Sequence, residues 1–215
     1  MLNTSQRESR RDVIADAAIL IIARSGLRGL THRAVDAQAG LPAGTTSYYY
    51  RSRHALLAGT LARLAAFDEA NMLGEPHAAR VAASSGAGNL PDVAEAAGHQ
   101  LGIDEIAASI AQVWALLLSS GIEHVRARFE LALEAARQPD LGRGLQQHHE
   151  YFLASTQALL AAAGSTDPER HSRQLVAYLD GLLFSHITAP HNHPAERAAI
   201  EAGVRDLLHG MLPSE

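Results

Sequence analysis

Hydroxyl side chains are concentrated in one short stretch, AGTTSYYY, at residues 43–50. Its small first residues allow a close backbone approach to a ligand, and a helix beginning there would direct its amide groups towards an anion such as phosphate. Hydroxyl groups donate hydrogen bonds to phosphates and to base edges. The candidate contacts are therefore Thr45, Thr46, Ser47, Tyr48 and Tyr49, followed in the chain by the cations Arg51 and Arg53.

Charge is distributed unevenly along the chain. The 215 residues carry a net charge of -5. Residues 1–60 contain eight Arg and four acids, a net charge of +4, whereas residues 61–215 contain ten Arg and nineteen acids, a net charge of -9. The N-terminal quarter is thus the part that can attract phosphate.

The absence of certain residues excludes whole classes of chemistry. There is no cysteine, which excludes disulfides, thiolate zinc sites and cysteine nucleophiles. The N-terminus is polar, and no apolar run approaches the roughly 20 residues of a membrane-spanning helix. We therefore expect a cytoplasmic protein that requires no cofactor.

The residues around the hydroxyl-rich stretch predict three helices. Apolar residues recur at helical spacing over residues 7–25, and Gly26 ends that helix. Thr31 can cap a second, short helix that ends at Gly40. A third helix is predicted from Pro42 to Tyr50, since proline is tolerated in a first turn.

The remainder of the chain also predicts helices, and no segment alternates like a strand. Ser52 can cap a long fourth helix that ends before Gly74, and residues 74–91 resemble a loop, with a weak helical stretch after Pro91. Further helices are predicted near residues 103–120, 122–137, 140–163, 167–188 and 194–212. The fold class is therefore all-α.

Two short helices joined by a glycine-containing turn form a helix-turn-helix, whose second helix enters the major groove of DNA. The segment THRAVDAQAGLPAGTTSYYYRSRHALL at residues 31–57 resembles the DNA-binding segment of the TetR family of regulators. The resemblance implies an N-terminal three-helix DNA-binding domain at residues 1–53. It also implies a larger helical effector-binding and dimerisation domain at residues 54–215.

The resemblance also implies which residues contact DNA. The start of the second helix supplies Thr31, His32 and Arg33, and Arg53 corresponds to a common phosphate contact. The recognition helix supplies Ala43, Thr45, Ser47, Tyr48 and Tyr49.

Some positions need a separate interpretation. The three tyrosines cannot all face DNA, because successive residues turn by about 100° in a helix. We expect Tyr50 to be the packed ring. The chain departs from the family where Asp36 replaces a usual Ala, Pro42 a usual capping residue, and Ser47 a usual aromatic residue.

The larger domain offers candidates for an effector pocket and for a dimer interface. Apolar, aromatic and polar side chains on the predicted helices give the pocket set Phe67, Met72, Trp114, Phe129, His148, Tyr151, Phe152 and Tyr178. The segment YLDGLLFSHI at residues 178–187 resembles the dimerising region of the family. The predicted interface is Tyr178, Leu182, Phe184, Ile200, Val204 and Leu207.

Together these features predict a ligand-responsive repressor, not an enzyme, that binds a palindromic double-stranded operator as a homodimer and is released by a small-molecule effector. An alternative is a helical enzyme or a metal-binding protein that uses the histidine-rich C-terminal half. Its candidate groups are the acids Glu123, Glu130 and Glu134 and the histidines His124, His148, His149, His186, His191 and His193. A second alternative is an architectural DNA-binding protein without a ligand.

Overall fold

The structure is a computed structural model that describes residues 4–72, 102–189 and 197–212. Over these ranges the chain is helical and contains no strand, which confirms the all-α prediction. The helices are α1 (Thr4–Gly29), α2 (His32–Gln38), α3 (Thr45–Tyr49), α4 (Arg53–Met72), α5 (Ile103–Ser120), α6 (Ile122–Ala135), α7 (Pro139–Ala162), α8 (Pro168–Thr188) and α9 (Arg197–His209). None of these helices is both long and apolar enough to cross a membrane.

The helix boundaries near the N-terminus follow local signals in the sequence. Gly26, with φ 64° and ψ -178°, interrupts the helical backbone within α1, as its position in the sequence predicts. Thr31 caps α2 by accepting a hydrogen bond from the amide of Ala34, at 3.1 Å. Ser52 accepts one from the amide of Ala55, also at 3.1 Å, at the start of α4.

The third helix is shorter than predicted. It begins at Thr45 and not at Pro42, because Gly44 adopts a left-handed conformation with φ 88° immediately before it. A left-handed residue cannot continue a right-handed helix, so Pro42 lies in the turn. The predicted loop at residues 74–91 and the weak helical stretch after Pro91 lie outside the described residues.

The chain divides into two compact units. One contains the described residues up to Phe67 together with Ile122–His148, and the other contains the described residues from Asp68 to Gly121 and from His149 onward. This division concerns packing, whereas the predicted division after residue 53 separates DNA binding from effector binding. The functional boundary therefore stays a prediction.

The first unit contains an apolar core. Residues of α1, including Ile14, Ile19 and Ile22, are fully buried with Leu56 and Leu57 of α4. The same cluster includes α6 and the start of α7 through Ala127, Leu131, Ala135 and Leu141. The helix-turn-helix is thus supported by later segments of the chain.

In the second unit, α9 packs against α5. Ile200, Val204 and Leu208 recur every four residues along one face of α9, and all three are buried within the single chain. The prediction that Ile200 and Val204 form the dimer interface is therefore wrong, since their side chains have no surface left for a partner.

Other predicted interface residues keep some exposure. Phe184 on α8 is 50% exposed, which is unusual for a large apolar side chain. Tyr178, Leu182 and Leu207 are partly buried. For these four residues, contact with a partner chain stays a prediction.

Candidate nucleic-acid interface

The recognition helix α3 is held by a carboxylate from the preceding helix. Asp36 on α2 is only 4% exposed. Its Oδ2 accepts a hydrogen bond from the amide of Gly44 at 2.8 Å. Its Oδ1 accepts two from Thr46, one from the amide at 2.7 Å and one from the hydroxyl at 2.6 Å. One side chain thus fixes the turn and the first turn of α3 together.

These hydrogen bonds determine the ionisation of Asp36. Burial alone would raise the pKa of its carboxyl group, because a low dielectric disfavours the charged form. The hydrogen bonds from Thr46 and Gly44, with a smaller effect of nearby His32, outweigh burial and lower the pKa below its usual value. Asp36 is therefore a carboxylate at neutral pH.

The exposed face of α3 contains some of the predicted contact residues. Tyr48 is 65% exposed, and Ala43 and Ser47 are also exposed. Tyr49 is partly buried, with its ring edge-on to Tyr48 at 5.1 Å between centroids. The hydroxyl of Thr45 donates to the carbonyl of Pro42 at 2.6 Å. Within α3, Ser47 and Tyr48 are the exposed side chains, and their contact with a base edge stays a prediction.

One predicted contact is wrong. Thr46 is fully buried, and its hydroxyl donates to Asp36 instead of facing outward. Its place on the inner side of a five-residue helix explains this, because the face opposite Tyr48 must pack on the rest of the domain. The side chain of Thr46 therefore positions α3 and is not exposed for a contact with DNA.

The residues predicted at the start of α2 have different surroundings. Thr31 and Arg33 are exposed. His32 is partly buried, and its Nε2 group donates to the carbonyl of Tyr50 at 2.7 Å, which joins the start of α2 to the end of α3. His32 therefore has a structural hydrogen bond, and its contact with DNA stays a prediction.

Arg53 acts on the end of α1. Its guanidinium donates to the carbonyls of Leu27, at 2.6 Å, and Leu30. These carbonyls follow the break at Gly26 and lead into α2, so Arg53 holds the connection between the two helices. Arg53 is exposed, and the predicted phosphate contact stays a prediction. Two further cations are exposed: Arg33, which lies on α2, and Arg51, which follows α3 in the chain.

Tyr50 is the packed tyrosine, as predicted. Its ring is buried, and the guanidinium of Arg11 lies 5.6 Å from the ring centroid. Burial raises the pKa of its phenol. The ring lies against Gly59 of α4, where an added Cβ would be 2.4 Å from a ring carbon. Gly59 therefore makes space for Tyr50, a role that the sequence analysis missed.

The predicted pocket residues in the first unit are Phe67 and Phe129, both partly buried. The ring of Phe67 stacks on His124, with centroids 3.9 Å apart and planes inclined by 13°. The side chain of His148 lies outside the described residues. A stacked aromatic pair is compatible with a pocket wall and equally with core packing.

The second unit contains the remaining pocket candidates. Trp114 is buried, and its indole donates to the carbonyl of Leu179 at 3.2 Å. Phe152 and Tyr178 are partly buried. Burial and the charge of Asp206 raise the pKa of Tyr178. The side chains of Met72 and Tyr151 lie outside the described residues, and the pocket itself stays a prediction.

No group of three or more His, Asp or Glu side chains in the described residues is arranged to hold a metal ion. His191 and His193, which belong to the alternative metal-binding interpretation, lie outside those residues.

Two short helices, α2 and α3, are joined by a tight turn and held together by hydrogen bonds. This is a helix-turn-helix, an arrangement typical of DNA-binding proteins. A family model described as the tetracyclin repressor-like C-terminal domain matches residues 101–214, more than half of the chain. The chain therefore belongs to the TetR family of DNA-binding transcriptional regulators.

Solved structures agree with this assignment. A TetR-family member from Streptomyces coelicolor is 26% identical, with 95% of this chain and 99% of that chain covered and a TM-score of 0.65. The multidrug binding protein EbrR in complex with ethidium is also 26% identical, with coverage of 95% and 99% and a TM-score of 0.60. A transcriptional regulator from Rhodococcus sp. Rha1 shares the fold at 20% identity, with coverage of 95% and 99% and a TM-score of 0.69. No curated protein sequence matches the chain.

Proposed function

We propose that this regulator is a repressor that binds a palindromic operator as a homodimer, with α3 of each protomer in the major groove. The observation that carries the proposal is the exposed Ser47 and Tyr48 face on a helix whose inner side is fixed by Asp36. Two such helices related by a twofold axis would read half-sites about 34–36 Å apart, or a multiple of that distance.

The charges beside α3 support this orientation on DNA. Arg33 on α2 and Arg51, which follows α3 in the chain, are exposed, and residues 1–60 carry a net charge of +4. Arginine side chains neutralise backbone phosphates and fix the register, whereas base-edge contacts provide sequence preference. Ser47 and Tyr48 therefore provide specificity, and Arg33 and Arg51 provide affinity.

The proposed effector is a small aromatic molecule, and an aromatic cation is the class to test first. EbrR, which is similar over nearly the whole chain, has been solved with ethidium. The net charge of -9 over residues 61–215 favours a cation over an anion. In the second unit, the candidate pocket residues Trp114, Phe152 and Tyr178 supply aromatic surface for such a ligand.

The family also bears on the alternatives. TetR-family regulators act by binding and not by catalysis, and we propose the same for this chain, acting on DNA in the cytoplasm. The architectural alternative predicts binding that depends on salt but not on sequence. Comparing operator and scrambled DNA therefore separates it from a regulator.

The test begins by selecting a preferred duplex from a random library with the wild-type protein. Fluorescence anisotropy then measures the affinity for the selected duplex and for a scrambled duplex of equal length. Ser47→Ala and Tyr48→Ala are expected to weaken binding to the selected duplex by about 10-fold or more, with a much smaller effect on the scrambled one.

Arg51→Ala is expected to weaken binding to both duplexes and to reduce the slope of log affinity against log salt by about one. Arg137→Ala, which replaces an exposed arginine in the turn after α6, is the matched control and should change neither affinity. Failure of the wild-type protein to select any consensus would overturn the proposed function.

A further inference from the structure

The side chain of Asp36 connects the two helices of the helix-turn-helix. It is one of the buried polar side chains of the first unit. Its three hydrogen bonds go to Gly44 and Thr46, eight and ten residues further along the chain. They cross from the supporting helix to the recognition helix, so the side chain fixes the position of one helix relative to the other.

Asp36 also takes the place of an N-terminal cap for α3. Gly44 at the N-cap position has no side chain to accept hydrogen bonds from the first amides. The amides of Gly44 and Thr46 donate to Asp36, and the amide of Thr45 donates to the carbonyl of Pro42 at 3.1 Å. These three amides are satisfied within the protein.

This arrangement changes how α3 can meet the DNA backbone. The sequence alone favours a phosphate at the amino end of α3, as at many helix termini. Here the anion at those amides is the carboxylate of Asp36, whose pKa is lowered by them. A phosphate approaching the same amides would meet occupied donors and a like charge.

We propose that Asp36 is a positioning residue that makes this regulator selective for its operator. It holds α3 so that Ser47 and Tyr48 reach base edges, and it keeps phosphates away from the amino end of α3. This inference rests on the proposed function, in which α3 reads DNA. Its consequence is that removing Asp36 lowers affinity for the operator without an equal loss of affinity for unrelated DNA.

Four variants isolate the hydrogen bonds from the charge. Asp36→Ala removes both, whereas Asp36→Asn removes the charge and keeps an acceptor. Thr46→Val removes the hydroxyl donor of Thr46 and leaves the charge of Asp36 in place. Thr46→Ser keeps a hydroxyl donor at the same position. Asp12→Asn removes one exposed carboxylate of α1 and serves as the charge-matched control.

The experiment measures anisotropy with full-length protein on the selected duplex and on the scrambled duplex. For Asp36→Ala and Thr46→Val, affinity for the selected duplex is expected to fall by roughly 10- to 100-fold. Affinity for the scrambled duplex should stay within about threefold for Thr46→Val and should rise for Asp36→Ala, which removes a charge that repels phosphate. Thr46→Ser should retain the wild-type ratio of the two affinities, as should Asp12→Asn.

Three results would overturn the inference. The first is an equal loss of affinity for both duplexes in Asp36→Ala and in Thr46→Val, which would indicate general unfolding of the domain. The second is a ratio of the affinities for the selected and the scrambled duplex that is the same in both variants as in wild type. The third is a Thr46→Ser variant that does not keep the wild-type ratio. If the wild-type protein does not distinguish the two duplexes, the proposed function fails together with this inference. If the wild-type protein is selective and the variants show the same ratio of affinities, only the role of Asp36 is rejected.

Discussion

A buried carboxylate in a small helical core is unfavourable unless hydrogen bonds compensate for the lost hydration. Asp36 satisfies this condition because Gly44 and Thr46 donate hydrogen bonds to its carboxylate. The charged form of the side chain is therefore more stable in the folded protein than in the unfolded chain. Its lowered pKa expresses the same preference. The stability of the recognition helix therefore depends on pH.

The pH dependence has a definite direction. Because the pKa of Asp36 is lower in the folded state, its contribution is fully present above the usual value of 3.8 and is lost as the pH falls through the lower folded value. Urea unfolding of wild type and Asp36→Asn should thus show a difference in the free energy of unfolding that is constant near neutral pH. The difference should shrink below about pH 4. A constant difference down to acid unfolding would contradict the assignment.

Gly59 and Tyr50 allow a second prediction at single residues. In Gly59→Ala the new Cβ would lie 2.4 Å from the ring of Tyr50, which is buried and cannot move without disturbing the core. Overpacking of this kind lowers the free energy of unfolding by about 1–3 kcal/mol, more than the gain in helix propensity of about 1 kcal/mol. Thermal unfolding should show a lower Tm.

Gly144→Ala is the matched control for this substitution. Gly144 lies within α7, in the same compact unit, and an added Cβ there meets no atom within 4 Å. The control should raise the free energy of unfolding by about 0.5–1 kcal/mol. Equal shifts of Tm in the two variants would show that the contact with Tyr50 has no energetic effect.

The sequence predicted those residues whose role depends on near neighbours in the chain. Thr31 and Ser52 each cap a helix through an amide three residues further along the chain. Three successive tyrosines cannot lie on one face of a helix, so these roles follow from local rules. The role of Asp36 was missed because its partners are eight and ten residues away. Gly59 was missed because only the folded structure brings it against Tyr50.

At the scale of elements, periodicity predicted where helices form but not what their apolar faces contact. The stripe on α9 indicates an apolar interface of some kind, and a second copy of the chain and α5 satisfy that pattern equally well. In the structure the stripe packs on α5 within one chain. The same limit explains why the sequence did not show that α6 completes the core around α1.

The corrected role of α9 can be tested against the predicted role of α8. Val204→Ala removes two fully buried methyl groups and should lower the free energy of unfolding by about 1–3 kcal/mol. It should leave the association state in sedimentation velocity unchanged. Phe184→Glu places a charge on the exposed apolar position of α8 and should shift a homodimer towards monomer.

Unfolding of these variants is compared at one protein concentration, because association adds to the apparent stability. Dissociation by Val204→Ala with unchanged stability would mean that the α9 stripe forms the interface after all. An unaltered association state in Phe184→Glu would remove α8 from the predicted dimer contact.

At the scale of the whole molecule, the single tryptophan offers a direct signal of effector binding. Trp114 is buried in the second unit, and its indole donates a hydrogen bond to the carbonyl of Leu179. A ligand that disturbs this region therefore changes the fluorescence of Trp114. Titration of the protein alone with ethidium should therefore quench Trp114 to saturation. Unchanged fluorescence with ethidium bound by another measure would place the ligand away from Trp114.

Repression that is relieved by an effector requires the two binding events to be coupled. If a ligand lowers operator affinity 100-fold, the coupling free energy is about 2.7 kcal/mol, and the operator must lower affinity for that ligand by the same factor. Because ethidium itself intercalates into DNA, this test uses an aromatic cation that quenches Trp114 but does not bind the duplex. Its affinity for the protein is measured with and without saturating operator. Equal ligand affinities in the two titrations would mean that the ligand binds without releasing DNA, and the proposed mechanism of induction would have to be abandoned.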